Sequence, residues 1–348
     1  MRRFGRTSVT AALAVAVVAG TAGWASGESQ TAVTGPPPGT AAWLADTAPG
    51  GRALPDPGRA TPREVARFFA GLDGAARREL LRSHPLVVGN LDGAPLPLRY
   101  EANRIAVAAT GEARYASLGA PDRQILAFDP RGRGLVAEVF GDLEQAAHVS
   151  VVVPGSDNDA ASHDAPRAPH TGPAGMARAL RAATGASTAV VAWTGYTTPV
   201  GVGLDAADGR LAEAGAVRLA RFTAGLDAVG APDPVLFCHS YGSVVCGLAA
   251  RHTDASDIVA LGSPGMRADS AAGLGTGARV WAARGPSDWI ADVPNVRFAG
   301  IGHGADPTSP AFGARRVPAA DAKGHTGYFA PGTQSLAAFA AIAEGEVR

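Results

Sequence analysis

The chain has 348 residues, with 31 Lys and Arg against 31 Asp and Glu, so its net charge is zero. No basic field is present to hold nucleic acid. The two cysteines are too few for a disulfide framework, no Cys/His spacing reads as a zinc site, and no cofactor is expected, metal or organic.

Residues 1–27 read as an export signal. Arg2, Arg3 and Arg6 give a positive start, Val9 to Val18 an apolar stretch, and Gly23-Trp24-Ala25 a small-residue site for cleavage after Ala25. An uncleaved membrane anchor is the other reading. The stretch is rich in alanine, glycine and threonine, weak material for a span of about 20 strongly apolar residues, so no stable membrane span is expected. The paired arginines hint at twin-arginine export. A secreted or cell-surface protein is the expectation. Residues 28–60, with Gly35-Pro36-Pro37-Pro38-Gly39, read as a linker or loosely packed arm that Trp43 and Leu44 dock to the body.

Residues 61–104 form an expected N-terminal helical segment. Thr61-Pro62-Arg63-Glu64 is a capping box with proline in the first turn, followed by Val65, Phe68, Phe69 and Leu72 on one face. Asp73 caps a second helix running through Leu81. No chemistry is visible there, and the segment is expected to pack on the body as a layer.

Residues 105–348 carry an α/β pattern. Strands are expected at Ile125–Phe128 and Leu135–Phe140, joined by the turn Asp129–Gly134. More follow at Val149–Val153, Ala189–Trp193, Val235–Phe237, Ile258–Leu261, Val280–Ala283 and Val296–Ile301. Helices are expected near Ala174–Ala183, Leu211–Val229, Ser243–Ala250 and Ser335–Ala343. The alternation predicts a mostly parallel central sheet with helices on both faces, preceded by an antiparallel hairpin.

The chemistry centres on Val235–Gly247. An apolar run ends at Cys238-His239-Ser240-Tyr241-Gly242, and a small-residue helix follows. A serine at a sharp strand-to-helix turn is the nucleophile elbow of the α/β-hydrolase fold, G-x-S-x-G, with Cys238 in place of the first glycine. Such a serine needs a base, an orienting acid and oxyanion donors. The acid candidate is Asp288, on the loop after the Val280–Ala283 strand, with Asp292 as fallback. The base candidate is His325, in Gly324-His325-Thr326-Gly327-Tyr328, with His303 as rival; His239 reads as loop support. Backbone N–H groups of Tyr241 and Ser156 are the candidate oxyanion hole, Gly155 letting the chain approach. Trp193 and Tyr196 stand on the same sheet edge, as pocket lining or core. Whether Cys238 and Cys246 pair across the elbow is open on the sequence.

These pieces together resemble the DUF1023 group, a mostly actinobacterial set of α/β-hydrolases of uncharacterised function. The resemblance runs from about Leu86 to the C-terminus. It rests on Asn90-Leu91-Asp92-Gly93, Ala102-Asn103-Arg104, Val153-Pro154-Gly155, Ala192-Trp193-Thr194-Gly195-Tyr196 and Cys238-His239-Ser240-Tyr241-Gly242-Ser243. Gly262-Ser263-Pro264-Gly265, His303-Gly304-Ala305-Asp306-Pro307 and Gly324-His325-Thr326-Gly327-Tyr328 complete it. It implies the hydrolase fold and a serine nucleophile at Ser240, with Asp288 and His325 at the expected acid and base. It supplies no substrate. The expectation is an exported serine hydrolase cleaving a small-molecule or lipid-like carboxylic ester through an acyl-enzyme. A peptidase or amidase on the same triad, and a catalytically silent hydrolase fold used for binding, are the alternatives.

Overall fold

The computed structural model describes residues 29–49, 51–164 and 168–347. The expected export signal lies outside them. After a single short helix at Thr40–Ala45 and a two-residue strand pair, Thr47–Ala48 with Arg52–Ala53, four helices form a layer: α1 (Pro62–Ala70), α2 (Gly74–Ser83), α3 (Pro85–Asn90) and α4 (Leu96–Thr110). Thr61 and Glu64 form both halves of the capping box, and Asp73 caps α2 through the Ala76 N–H. The helical layer thus runs past residue 104, to the left-handed Gly111 that ends α4. The stretch before it is docked at Trp43, one of the two expected anchors. Trp43 is fully buried among Val65, Phe69 and Leu81, whereas Leu44 faces solvent. The Val33 N–H donates to Thr197 Oγ1 at 2.9 Å, and Arg131 donates to the Thr34 carbonyl at 3.1 Å.

The body follows. Its strands are β1 (Gln124–Asp129), β2 (Leu135–Phe140), β3 (His148–Val153), β4 (Thr188–Thr194), β5 (Val235–His239), β6 (Asp257–Leu261), β7 (Arg279–Ala283) and β8 (Arg315–Arg316). The longer helices between and after them are α5 (Pro173–Ala183), α6 (Arg210–Ala228), α7 (Gly242–Ala249) and α8 (Gln334–Ala343), with one further α-helical turn at Leu204–Ala207. The eight strands form one sheet in the order β8-β7-β6-β5-β3-β4-β2-β1. β3 to β8 run parallel, β2 pairs antiparallel with both β4 and β1, and so β2 alone is reversed.

Strand alternation divides the core in two. Val151, Val153, Val191, Leu236 and Ile258 face α6 and α7. Val152, Val190, Phe237, Val259 and Trp281 face α5 and α8. Continuous apolar runs are what a sheet buried on both faces needs. This is the α/β-hydrolase fold, and it sets β5 at the centre of the sheet. Among the described residues no helix is long and apolar enough to cross a membrane.

One expected strand is absent. Val296–Ile301 instead folds back on itself: the Phe298 and Ile301 backbones exchange two hydrogen bonds of 2.9 Å. Ala299 and Gly300 take φ of 49° and 86° at the tip, which no strand can hold. The eighth strand is Arg315–Arg316, two exposed residues with no apolar run to announce them.

Candidate active site

β5 ends at His239, and the next residue turns sharply. Ser240 has φ of 53°, a left-handed value that side chains with a Cβ seldom adopt. Neighbouring elements hold it there. The Ser240 N–H donates to the Leu261 carbonyl at 2.8 Å, and Ser243 Oγ donates to the Ser240 carbonyl at 2.6 Å. A Cβ on Gly242 would stand 2.3 Å from the Val153 carbonyl oxygen, so this side of the turn requires glycine. On the other side the structure joins Cys238 to Cys246 of α7 as a disulfide, their Cα atoms 6.4 Å apart. The side chain that departs from the elbow pattern is therefore directed into α7.

Ser240, His325 and Asp288 come together. His325 Nε2 lies 2.8 Å from Ser240 Oγ, and His325 Nδ1 lies 2.8 Å from Asp288 Oδ1. A carboxylate only accepts, so Nδ1 carries the proton and Nε2 is free to accept from the serine hydroxyl. Asp288 is buried and fully bonded. Its Oδ1 also accepts from the Ile290 N–H at 2.9 Å, and its Oδ2 accepts from the Tyr328 hydroxyl. Burial alone would raise its pKa, but the bonds from His325, Tyr328 and Ile290 outweigh that and hold it below the usual carboxylate range.

The other candidates fall elsewhere. His303 donates from Nε2 to the Ala206 carbonyl at 2.7 Å and packs edge-on against Tyr241, and burial lowers its pKa to about 4. Asp292 is exposed at the end of a single helical turn. His239 donates from Nε2 to the backbone carbonyl of His325 at 2.6 Å, tying the loop of the candidate base to the strand of the candidate nucleophile. Burial, with His325 adding, lowers the His239 pKa to about 4, so it stays a neutral donor.

The N–H of Tyr241, at the head of α7, donates to no other group among the described residues, and neither does that of Ser156. The chain before Ser156 presses on Ser240: a Cβ on Gly155 would stand 2.6 Å from Ser240 Cβ and 3.1 Å from the Tyr241 nitrogen. The two candidate aromatics do not line this cleft. Trp193 and Tyr196 are 2% and 1% exposed and stack behind it with Tyr241. Their β4 edge is covered by α6, and Trp193 borders a different cavity, beneath Pro36 and beside Arg218.

Two residues at the site stand in motifs visible in the sequence that assign them no role. Tyr328 follows the base by three positions, and its hydroxyl also accepts from the Gly285 N–H. Gly262, after β6, has φ of 52°, and a Cβ there would stand 2.7 Å from Asp288 Oδ2. Gly262 opens the Gly-Ser-Pro-Gly turn, so the turn was visible but its place against the acid was not. Among the described residues no cluster of three or more His, Cys, Asp or Glu is placed to hold a metal ion.

A family model described as "Alpha/beta hydrolase" matches residues 129–298. The matched stretch contains Ser240 and Asp288 and ends before His325. The uncharacterized proteins MT2140 and Rv2079, from two strains of Mycobacterium tuberculosis, are each 29% identical over 381 aligned residues. That alignment covers 84% of this chain and 57% of theirs, so the chain spans little more than half of these relatives. Among solved structures, XC6422 of Xanthomonas campestris, described as an a/b serine hydrolase without lid, is 18% identical with a TM-score of 0.38. That match covers 65% of this chain and 94% of XC6422.

Proposed function

We propose that the protein is an exported serine hydrolase that cleaves a carboxylic ester through an acyl-enzyme. What carries the reading is the continuous relay from Ser240 Oγ through His325 to Asp288, two hydrogen bonds of 2.8 Å ending on a buried carboxylate. In the first half-reaction Ser240 Oγ attacks the ester carbonyl carbon while His325 Nε2 takes its proton. Asp288 keeps Nδ1 protonated and stabilises the imidazolium. The N–H groups of Tyr241 and Ser156 receive the oxyanion. His325 then gives its proton to the departing alkoxide. In the second half, water attacks the acyl carbon as it loses a proton to His325, and His325 returns that proton to Ser240 Oγ as the acid leaves. Export is proposed on Arg2, Arg3 and Arg6 followed by the apolar stretch from Val9 to Val18.

A fluorophosphonate probe tests the nucleophile. Wild type is expected to be labelled, and Ser240→Ala and His325→Ala are not. With p-nitrophenyl acetate, Ser240→Ala is expected to lower kcat by on the order of 10⁶-fold. Folded wild type that resists the probe overturns the enzyme reading; a labelled Ser240→Ala overturns the nucleophile. Turnover of peptide anilides in preference to p-nitrophenyl esters overturns the ester.

A further inference from the structure

Loops that bond to the candidate site carry most of the large apolar side chains exposed among the described residues. Among the described residues nine large apolar side chains are exposed, and seven of them are Val200, Val202, Leu204, Trp289, Val296, Phe298 and Ile301. Scattered exposed apolar residues are ordinary, but concentration on a few adjacent loops is not.

These loops are tied to the catalytic groups. The Trp289 ring lies 4.6 Å from the His325 ring. Residues 199–201 bond to Asp157, two positions after the Gly155 that touches Ser240: the Asp157 N–H donates to the Pro199 carbonyl, and the Gly201 N–H donates to Asp157 Oδ1. The Phe298–Ile301 turn pairs with Asp208. The Asp208 carbonyl in turn accepts from the hydroxyl of Tyr241, the residue after the nucleophile, at 3.0 Å.

The turn is also preformed. Its two reciprocal hydrogen bonds fix the tip, and Phe298 projects from it 82% exposed, with exposed Arg297 beside it. An acyl chain drawn singly from water is held in a concave pocket. These side chains instead stand outward from loops around the opening, as a rigid apolar wedge does on entering a lipid interface. A protein docked stably on this collar would cover Ser240. A lipid surface would bring substrate to it.

We infer that the apolar collar is a docking surface for a lipid interface, from which Ser240 takes an ester bearing a long apolar chain. The substrate half of this inference rests on the proposed triad; the docking half does not.

The test uses the full chain with Ser240→Ala, so that lipid stays intact, and mixed phosphatidylcholine–phosphatidylglycerol vesicles in a co-sedimentation assay. Ser240→Ala is expected to sediment with the vesicles. Adding Phe298→Ser or Leu204→Ser, on separate loops, is expected to weaken partition about tenfold each, because each removes one apolar side chain from the contact. Both residues are exposed, and melting temperatures are expected to stay at the parent's. The chains compared share the same N-terminal segment, so the difference between them reports the collar. On the active chain the same changes are expected to slow hydrolysis of p-nitrophenyl palmitate in micelles by a similar factor.

Partition unchanged by both substitutions overturns the docking surface. Preserved vesicle binding and micelle turnover in the variants, with loss only on a short-chain ester in free solution, also overturns it, in favour of a single-chain groove. Collar-dependent vesicle binding by a wild-type chain that resists the fluorophosphonate probe supports the docking surface and defeats the hydrolase reading alone.

Discussion

Ser240 is held in a left-handed backbone conformation that would relax if its surroundings allowed. Glycines crowd the turn for that reason, and Gly155 is the one that presses on Ser240 itself. Gly155→Ala places a methyl 2.6 Å from Ser240 Cβ, so the proposed nucleophile and oxyanion loop must part. Displacements near 1 Å at a reacting atom cost on the order of 10²-fold in rate. That is the fall in kcat expected with p-nitrophenyl acetate, and a wild-type kcat in Gly155→Ala would remove the oxyanion role from this loop. Tyr328 would act at one remove from the proposed triad, as a positioning residue. Its hydroxyl donates to Asp288 and helps keep that carboxylate ionised. Tyr328→Phe leaves the ring in the core and removes the donor, so the Asp288 pKa rises. A folded-state pKa that rises moves the loss of the charged form to higher pH. The acid-side fall of kcat/KM is therefore expected to begin at higher pH than in wild type, and superimposable pH–rate profiles would count against the role.

At the scale of elements, the elbow depends on strand β5 and helix α7 keeping their relative positions. The Cys238–Cys246 link closes a loop of eight residues around the turn. Chain-entropy arguments give about 2.5 kcal/mol for a closure of that length. Cys238→Ala with Cys246→Ala is expected to lose about that much in urea unfolding, and no loss would show that packing alone secures the turn. How legible these elements were in the sequence followed how local their causes are. β3 to β7 announced themselves as apolar runs because both faces are buried, and the Thr61 capping box needs only four residues. Val296–Ile301 carried the same apolar signal for another reason, since its side chains face outward. The Asn90 and Asn103 motifs could be seen but not explained. Asn103 donates to the carbonyls of Gly89 and Ile125, and Asn90 to that of Phe128. They stitch the helical layer to β1, an arrangement that exists only once the chain has folded.

The same limit governs the whole molecule. Proline-rich composition marked residues 28–60 as a linker or loosely packed arm, with Trp43 and Leu44 to dock it, because composition reports what a segment does alone. It does not report that Trp43 finds a cavity waiting among α1, α2 and α3. Trp43 is fully buried, donates from Nε1 to the Pro55 carbonyl at 2.7 Å, and meets His84 edge-on. Farther along the arm, the Gln30 N–H donates to Asp205 at 2.5 Å, beside Leu204 of the collar. The arm therefore spans from the helical layer to the rim of the candidate site and belongs to the folded unit. Removing a buried tryptophan side chain costs about 3–5 kcal/mol, against a total stability of about 5–15 kcal/mol for a domain. Trp43→Ala is expected to lose that amount in urea unfolding as part of one cooperative transition. A stability within about 1 kcal/mol of wild type, or a separate early transition, would return the arm to the status of a tether.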